Sequence, residues 1–256
     1  MVYKIDVIAC LSDNYAYLLR DEDSGAAVVI DAPEAAPILA AVEAAGGRLD
    51  ALLLTHHHGD HIEGAAEIVE RTGAKRIGAA ADAHRLPPLD RAVVDGEAFS
   101  VGPLAFRVIA TPGHTRGHIA YHAPMARALF CGDTLFSLGC GRLFEGSAAD
   151  MWDSLLRLAA LPPETAVCPG HEYTASNGRF ALTVDPDNAA LAERLAEVEA
   201  LRATGRPTVP VPLKQERLTN PFLRAGDPEL AGRLGLAGRP AVEVFAELRR
   251  LKDSFR

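Results

Sequence analysis

The run THHHGDH, Thr55 to His61, places four histidines and an aspartate within seven residues. It follows a short apolar strand over 51–54. It precedes EGAAEIVERTG, in which Ile62, Ala65, Ala66 and Val69 recur at helical spacing until Gly73 ends the helix. The run therefore reads as a loop between a strand end and a helix start, where neighbouring side chains can converge. In extended backbone His56 and His58 point to one side, and a turn after them aims Asp60 and His61 at a second point nearby. Imidazole and carboxylate together suit Zn2+, Fe or Mn. Four such ligands in so tight a segment exceed what one tetrahedral ion accepts, so two adjacent divalent ions are expected. His57 is out of phase and should turn away, toward a supporting contact or the surface.

Two ions need further ligands, and three candidates stand at the ends of apolar strands beside glycine: His114 in TPGHTRGH, Asp133 in LFCGDTLF and His171 in CPGHEY. Glycine there lets the backbone turn so that the side chain reaches inward. Seven ligands divide as three and three with one shared. A carboxylate bridges where an imidazole normally does not, which leaves Asp133 or Asp60 as the bridge. His84, His118 and His122 lack this support and are given no ligand role.

Around these residues, strands are expected at 2–9, 15–19 and 27–30, a helix at 35–45, strands at 104–110, 119–122 and 128–131, a helix at 149–158 and a strand at 166–168. The two α/β stretches share a rhythm that resembles a duplication. After Tyr173 the texture becomes helical: 188–202 is rich in Ala, Leu and Glu, TVPVPL reads as an extended linker, and a final helix over 241–252 starts at Pro240. With 256 residues, 48% of them hydrophobic, the chain can bury a large core. A formal net charge of -8 argues against a nucleic-acid or anionic-membrane partner. No apolar run reaches the roughly 18 to 20 residues of a membrane span, and the start of the chain has no apolar run of signal-peptide length, so a cytoplasmic protein is expected. Cys10, Cys131, Cys140 and Cys168 form no CxxC pair and are expected as buried or free thiols.

THHHGDH with His114, Asp133 and His171 resembles the metallo-β-lactamase superfamily. More narrowly, LSDNYAYLL, GDTLFSLGCGRLFEG, CPGHEYTASN, LTNPFLR and the RRLKDSF tail are similar to the glyoxalase II, or hydroxyacylglutathione hydrolase, family nearly end to end. HxHxDH alone specifies only the superfamily, whereas the other segments specify the family. The resemblance implies an α+β fold, an αββα sandwich with a helical carboxy-terminal domain. The expected division is 1–172 for catalysis and 173–256 for glutathione binding.

The resemblance also implies roles. One ion falls to His56, His58 and His114, the other to Asp60, His61 and His171, with Asp133 bridging; Asp31 orients a ligand imidazole. Two ions, most simply Zn2+ with Fe or Mn as alternatives, would lower the pKa of a bridging water to about 7, and that hydroxide would attack a glutathione thioester. A thiolate is a good leaving group, so no Ser or Cys nucleophile is required. Arg142, Phe144, Tyr173, Arg249 and Lys252 match substrate positions, and Arg250 adds charge to the tail. Two departures stand out: Arg142 and Phe144 occupy positions where the family often has Lys and Tyr, so Phe144 forgoes a hydroxyl. The expected enzyme is a monomeric hydrolase acting on a small glutathione thioester. The rivals are a lactonase, a β-lactamase or a mononuclear-iron persulfide dioxygenase on the same fold, and a non-enzymatic metal-binding or nucleic-acid-processing module.

Overall fold

A computed structural model describes residues 2–255. The chain forms two compact units: one runs to Ala110 and resumes over Arg116–Gly132, and the other takes Thr111–Thr115 and everything from Asp133 onward. Division by compactness therefore falls at 132/133, earlier in the chain than the 172/173 boundary read from the sequence.

The first unit begins with β1 (Tyr3–Cys10), β2 (Asn14–Asp21), β3 (Ala27–Ile30), α1 (Ala35–Ala44), β4 (Ala51–Leu53), α2 (Gly59–Ile62), α3 (Ala65–Thr72), β5 (Lys75–Ala79) and β6 (Arg91–Val93). The six strands form one sheet in chain order, antiparallel from β1 to β3 and parallel from β3 to β6. AVVI and ALL are buried throughout, which is why they read as continuous apolar runs without alternation. Helices α1 and α3 cover one face, where Ile38, Val42, Ala65 and Ile68 share a core with Leu18, Val29 and Leu52. Gly73 closes α3 in the left-handed conformation at φ 73°, as its position predicts.

Strands β7 (Ala98–Val101), β8 (Leu104–Ala110), β9 (Ile119–Ala123) and β10 (Ala128–Gly132) form an antiparallel meander in the same unit. It packs on the first sheet through Tyr17 and Phe130, whose ring centroids are 5.7 Å apart. The buried Tyr121 hydroxyl donates to the Leu54 carbonyl at 3.0 Å, and the Ile119 N–H donates to the Thr55 carbonyl at 3.0 Å. Both bonds fasten the meander to the residues where THHHGDH begins. Asp60 and His61 lie on the single helical turn α2, which gives them a direction different from that of His56 and His58.

The second unit contains β11 (Leu135–Phe136), β12 (Gly139–Cys140), α4 (Ala148–Ala159), β13 (Ala166–Pro169), α5 (Thr174–Val184), α6 (Ala189–Ala203), β14 (Val211–Pro212), α7 (Leu213–Thr219), α8 (Pro228–Arg233) and α9 (Ala241–Ser254). Ser147 and Asp150 close a reciprocal capping box at the start of α4. TVPVPL is not a free linker: Val211 and Pro212 pair with Val167 and Ala166. A proline is tolerated there because the strand lies at the edge of its sheet, where a missing N–H costs no ladder bond. Val244, Phe245 and Leu248 form the buried face of α9, and Arg249 extends it.

Candidate metal centre

In the first unit, the loop of candidate ligands is organised by Asp31, which leaves β3 in left-handed backbone at φ 58°. One carboxylate oxygen of Asp31 accepts the Thr55 N–H at 2.8 Å. The other accepts the Thr55 hydroxyl at 2.8 Å and His61 Nδ1–H at 3.0 Å. Because the Thr55 hydroxyl donates to Asp31, its oxygen can only accept from His56 Nδ1, 3.0 Å away. Both imidazoles therefore carry their proton on Nδ1 and offer the Nε2 lone pair. His56 Nε2 lies 3.1 Å from His58 Nδ1, and His61 Nε2 lies 3.7 Å from an Asp60 carboxylate oxygen. Asn14, at the start of β2, donates its side-chain amide to the Asp60 carbonyl at 2.9 Å and to its carboxylate at 3.0 Å.

His57 turns the other way: its Nδ1 meets the buried Asp82 carboxylate at 2.9 Å, and Arg85 donates to the other oxygen of Asp82 at 2.7 Å. This contact fixes the phase of the loop from behind. His118, given no role from the sequence, stacks on His56 with centroids 4.8 Å apart and planes 27° from parallel. A side chain at Gly132 would collide with His118 Nε2 and Thr55 Oγ1, so the glycine makes room for the stack. The signal was present in the sequence, since His118 also follows a glycine, like His114 and His171. Asn14 had no comparable signal.

In the second unit, His114 Nε2 and His171 Nε2 each stand 3.4 Å from the same carboxylate oxygen of Asp133. The other nitrogen of His114, Nδ1, donates to the Arg142 carbonyl at 2.9 Å, so its Nε2 presents a lone pair to that oxygen. A lone pair facing a carboxylate at this distance is repulsive unless a cation or a proton lies between them. The same conflict holds for His61 and Asp60. The donor set, imidazole nitrogens of fixed tautomer aimed at carboxylate oxygens, fits a divalent cation.

The same unit carries the cations. Arg249 is 5% exposed; it donates to the Cys140 carbonyl at 2.9 Å and to Asp253 at 2.8 Å, and lies over the Phe222 ring. Lys252 is half-buried, with its ammonium 3.3 Å from Ser176 Oγ. Burial, then the neighbouring Arg249, Arg179 and Arg142 guanidinium groups, push its pKa down to about 8. Arg142 is exposed, 3.9 Å from Asp253. Arg250 instead pairs with Glu247 at 2.6 Å. Tyr173 stacks flat on His171 at 4.7 Å, and Phe144, 62% exposed, sets its ring against His114 at 5.2 Å.

Two family models cover nearly the whole chain. The model described as metallo-beta-lactamase superfamily matches residues 12–171, and the one described as hydroxyacylglutathione hydrolase C-terminus matches 172–255. The hydroxyacylglutathione hydrolase of Ruegeria pomeroyi is 55% identical over 255 residues, covering 100% of both chains. The structure of the B3 metallo-beta-lactamase BLEG-1 superposes with a TM-score of 0.66 at 22% identity, covering 87% of this chain and 99% of that one, a likeness of fold alone. A third protein, TTHA1623, solved in a di-iron-bound form, is 31% identical with a TM-score of 0.57 over 66% of this chain and 91% of its own. With its α+β architecture and its His and Asp ligand clusters, the chain belongs to the hydroxyacylglutathione hydrolase family of the metallo-β-lactamase superfamily.

Proposed function

We propose that this protein hydrolyses S-(2-hydroxyacyl)glutathione thioesters to glutathione and a 2-hydroxy acid, with S-D-lactoylglutathione to D-lactate as the representative reaction, the second step of methylglyoxal detoxification. Fold alone does not select this substrate, because one fold hosts many chemistries. The observation that carries the reading is the cationic cluster of Arg142, Arg179, Arg249 and Lys252, in an acidic chain and in the same unit as His114, Asp133 and His171.

In this reading His56, His58 and His114 would hold one divalent ion, Asp60, His61 and His171 would hold the other, and Asp133 would serve both. Five imidazoles and two carboxylates accept Zn2+, which we assign, and also Fe or Mn; the di-iron form of TTHA1623 supports a two-ion occupancy. Such ions would supply Lewis acidity and a water acidified to a pKa of about 7. Asp31 and Thr55 hold two of the ligand imidazoles in the tautomer that leaves Nε2 unprotonated.

Substrate binding falls to the second unit. Lys252 and Arg142 meet the glutathione carboxylates, and Arg249, already committed to Cys140 and Asp253, contributes charge and holds the loop that carries Cys140. Tyr173 and Phe144 offer aromatic surface beside His171 and His114. No cysteine serves as nucleophile: all four are buried, and burial pushes the Cys10 and Cys140 thiols up to about 11, far from the thiolate form at neutral pH. We assign residues 1–172 to catalysis and 173–256 to glutathione binding, a division supported by the extents of the two family matches. We assign a cytoplasmic monomer; the net charge of -8 argues against nucleic-acid or anionic-membrane partners, and among the described residues no helix is long and apolar enough to cross a membrane.

The test is release of free thiol from S-D-lactoylglutathione by purified, metal-loaded protein, run beside a lactone, a β-lactam and glutathione persulfide. Preference for the thioester by two orders of magnitude or more in kcat/KM is expected; preference for any of the others contradicts the reading.

A further inference from the structure

The hairpin formed by β11 and β12 has a turn, Ser137 and Leu138, that is buried, with Leu138 in left-handed backbone at φ 58°. A buried turn exposes its backbone polar groups to no water, so each needs a partner from the protein. Those partners come from α5 and α7. Glu216, 0% exposed, accepts the Ser137 hydroxyl at 2.6 Å on one oxygen and the Leu138 N–H at 2.8 Å on the other. Asn220, one helical turn later, donates to the Phe136 carbonyl at 3.1 Å, the Gly139 carbonyl at 2.9 Å and Glu216 at 3.0 Å. Asn177 donates to the Ser137 carbonyl at 3.1 Å. A Cβ at Gly139 would run into this Asn177 amide.

This hairpin is the segment between two parts of the proposed site. It starts two residues after Asp133. It ends at Cys140, whose carbonyl takes Arg249 Nη1 at 2.9 Å. The ladder continues as Gly141 N–H donates to the Thr134 carbonyl at 3.2 Å, and the next carbonyl, that of Arg142, accepts from His114. The Asp133 carboxylate, the His114 tautomer and the Arg249 guanidinium therefore all depend on where six residues of hairpin sit.

We propose that Glu216 and Asn220 are positioning residues of the active site: they brace the β11–β12 hairpin so that the ligands Asp133 and His114 and Arg249, the buried cation of the glutathione-binding cluster, are held in one register. A carboxylate with no surface exposure is expensive to bury, and burial raises the Glu216 pKa against the opposing bonds from Ser137, Leu138 and Asn220 and the charge of Arg194. Its bonds go to the hairpin and to Asn220, which itself bonds the hairpin, rather than to a surface network. The inference rests on the functional reading above for the roles of Asp133, His114 and Arg249.

The test compares Glu216→Gln with Glu216→Met. Glutamine can keep every bond, because the Ser137 hydroxyl can turn from donor to acceptor; methionine matches the length and leaves the Leu138 N–H and the Ser137 hydroxyl without their acceptor, while Asn220 keeps only its bonds to the Phe136 and Gly139 carbonyls. Each protein is loaded with Co2+ for its visible absorption spectrum, titrated with glutathione by calorimetry, and assayed with S-D-lactoylglutathione. Glu216→Gln should stay within about threefold of the parent in kcat, KM and glutathione Kd, with an unchanged Co2+ spectrum. Glu216→Met should alter the Co2+ bands, raise KM and glutathione Kd about tenfold or more, and lower kcat by a similar factor. If Glu216→Met does not fold, the Glu216→Gln, Ser137→Ala double variant takes its place, since the glutamine amide then loses its acceptor; threefold to tenfold losses are expected in it. A folded Glu216→Met protein with a lower Tm but unchanged spectrum, glutathione affinity and kinetics overturns the proposal, as do parental values in the folded double variant. Should the parent itself fail to hydrolyse the thioester, the functional reading fails, while the Co2+ spectrum still decides whether Glu216 positions the ligands.

Discussion

The Asp31 carboxylate receives Nδ1–H of His61 at 3.0 Å on the same oxygen that takes the Thr55 hydroxyl, and through Thr55 it also sets the proton of His56. One side chain in left-handed backbone thus decides which nitrogen two candidate ligand imidazoles present. The arrangement gives Asp31 a reach that a single hydrogen bond would not have.

Asp31→Asn keeps the shape but replaces one acceptor oxygen with a donor. The side chain can no longer satisfy the Thr55 N–H, the Thr55 hydroxyl and His61 together. Metal affinity should fall about 10- to 100-fold with the fold retained, as read by competition against a chromophoric chelator. An unchanged affinity would show that the tautomers are set elsewhere.

Lys252 loses its charge near pH 8, well below the 10.5 of an ordinary lysine. The ammonium is the form that meets a carboxylate, so kcat/KM should hold below pH 8 and fall above it, approaching about tenfold per pH unit. The loss should appear in KM. Lys252→Arg, which stays charged, should remain flat to about pH 9.5. Parallel profiles for the two proteins would remove Lys252 from substrate binding.

Arg249 and Lys252 should separate in their effects on stability. Arg249→Ala leaves the buried Cys140 carbonyl without its charged donor and should cost about 1.5 to 3 kcal/mol in urea unfolding. Lys252→Ala removes a half-buried side chain whose ammonium contacts Ser176 and the Phe180 and Phe255 rings but leaves no buried carbonyl unmet, and should cost less, while still raising KM. The double alanine variant should raise KM far more than it lowers kcat. Unchanged KM in the double variant would contradict glutathione binding by this helix.

Phe144→Tyr restores the hydroxyl that the family often has at this position. One added hydrogen bond to substrate is worth about 0.5 to 1.5 kcal/mol, so KM should fall roughly twofold to tenfold with little change in kcat. A rise in KM would mean that the exposed Phe144 ring is preferred as it stands.

Local physics explains what was legible in the sequence. The alternation of His56, His57 and His58 and the glycines beside His114, Asp133 and His171 depend only on neighbouring backbone, so the candidate ligands could be read directly. The acidic partner of His57 could not, because Asp82 lies 25 positions away and meets it only after folding. Glu216 is more distant still: a glutamate in KQER reads as a solvated helix residue, and only the buried turn 79 residues earlier makes it otherwise. TVPVPL misled for a related reason. Its prolines signal extended chain, but nothing local reveals that Val211 and Pro212 have strand partners in Val167 and Ala166.

The most direct measurement is turnover of S-D-lactoylglutathione and metal content on one purified sample. Two divalent ions per chain together with rapid thiol release, both lost on exhaustive chelation and both restored on reloading, is the predicted result. Two bound ions per chain without thioester hydrolysis would contradict the account.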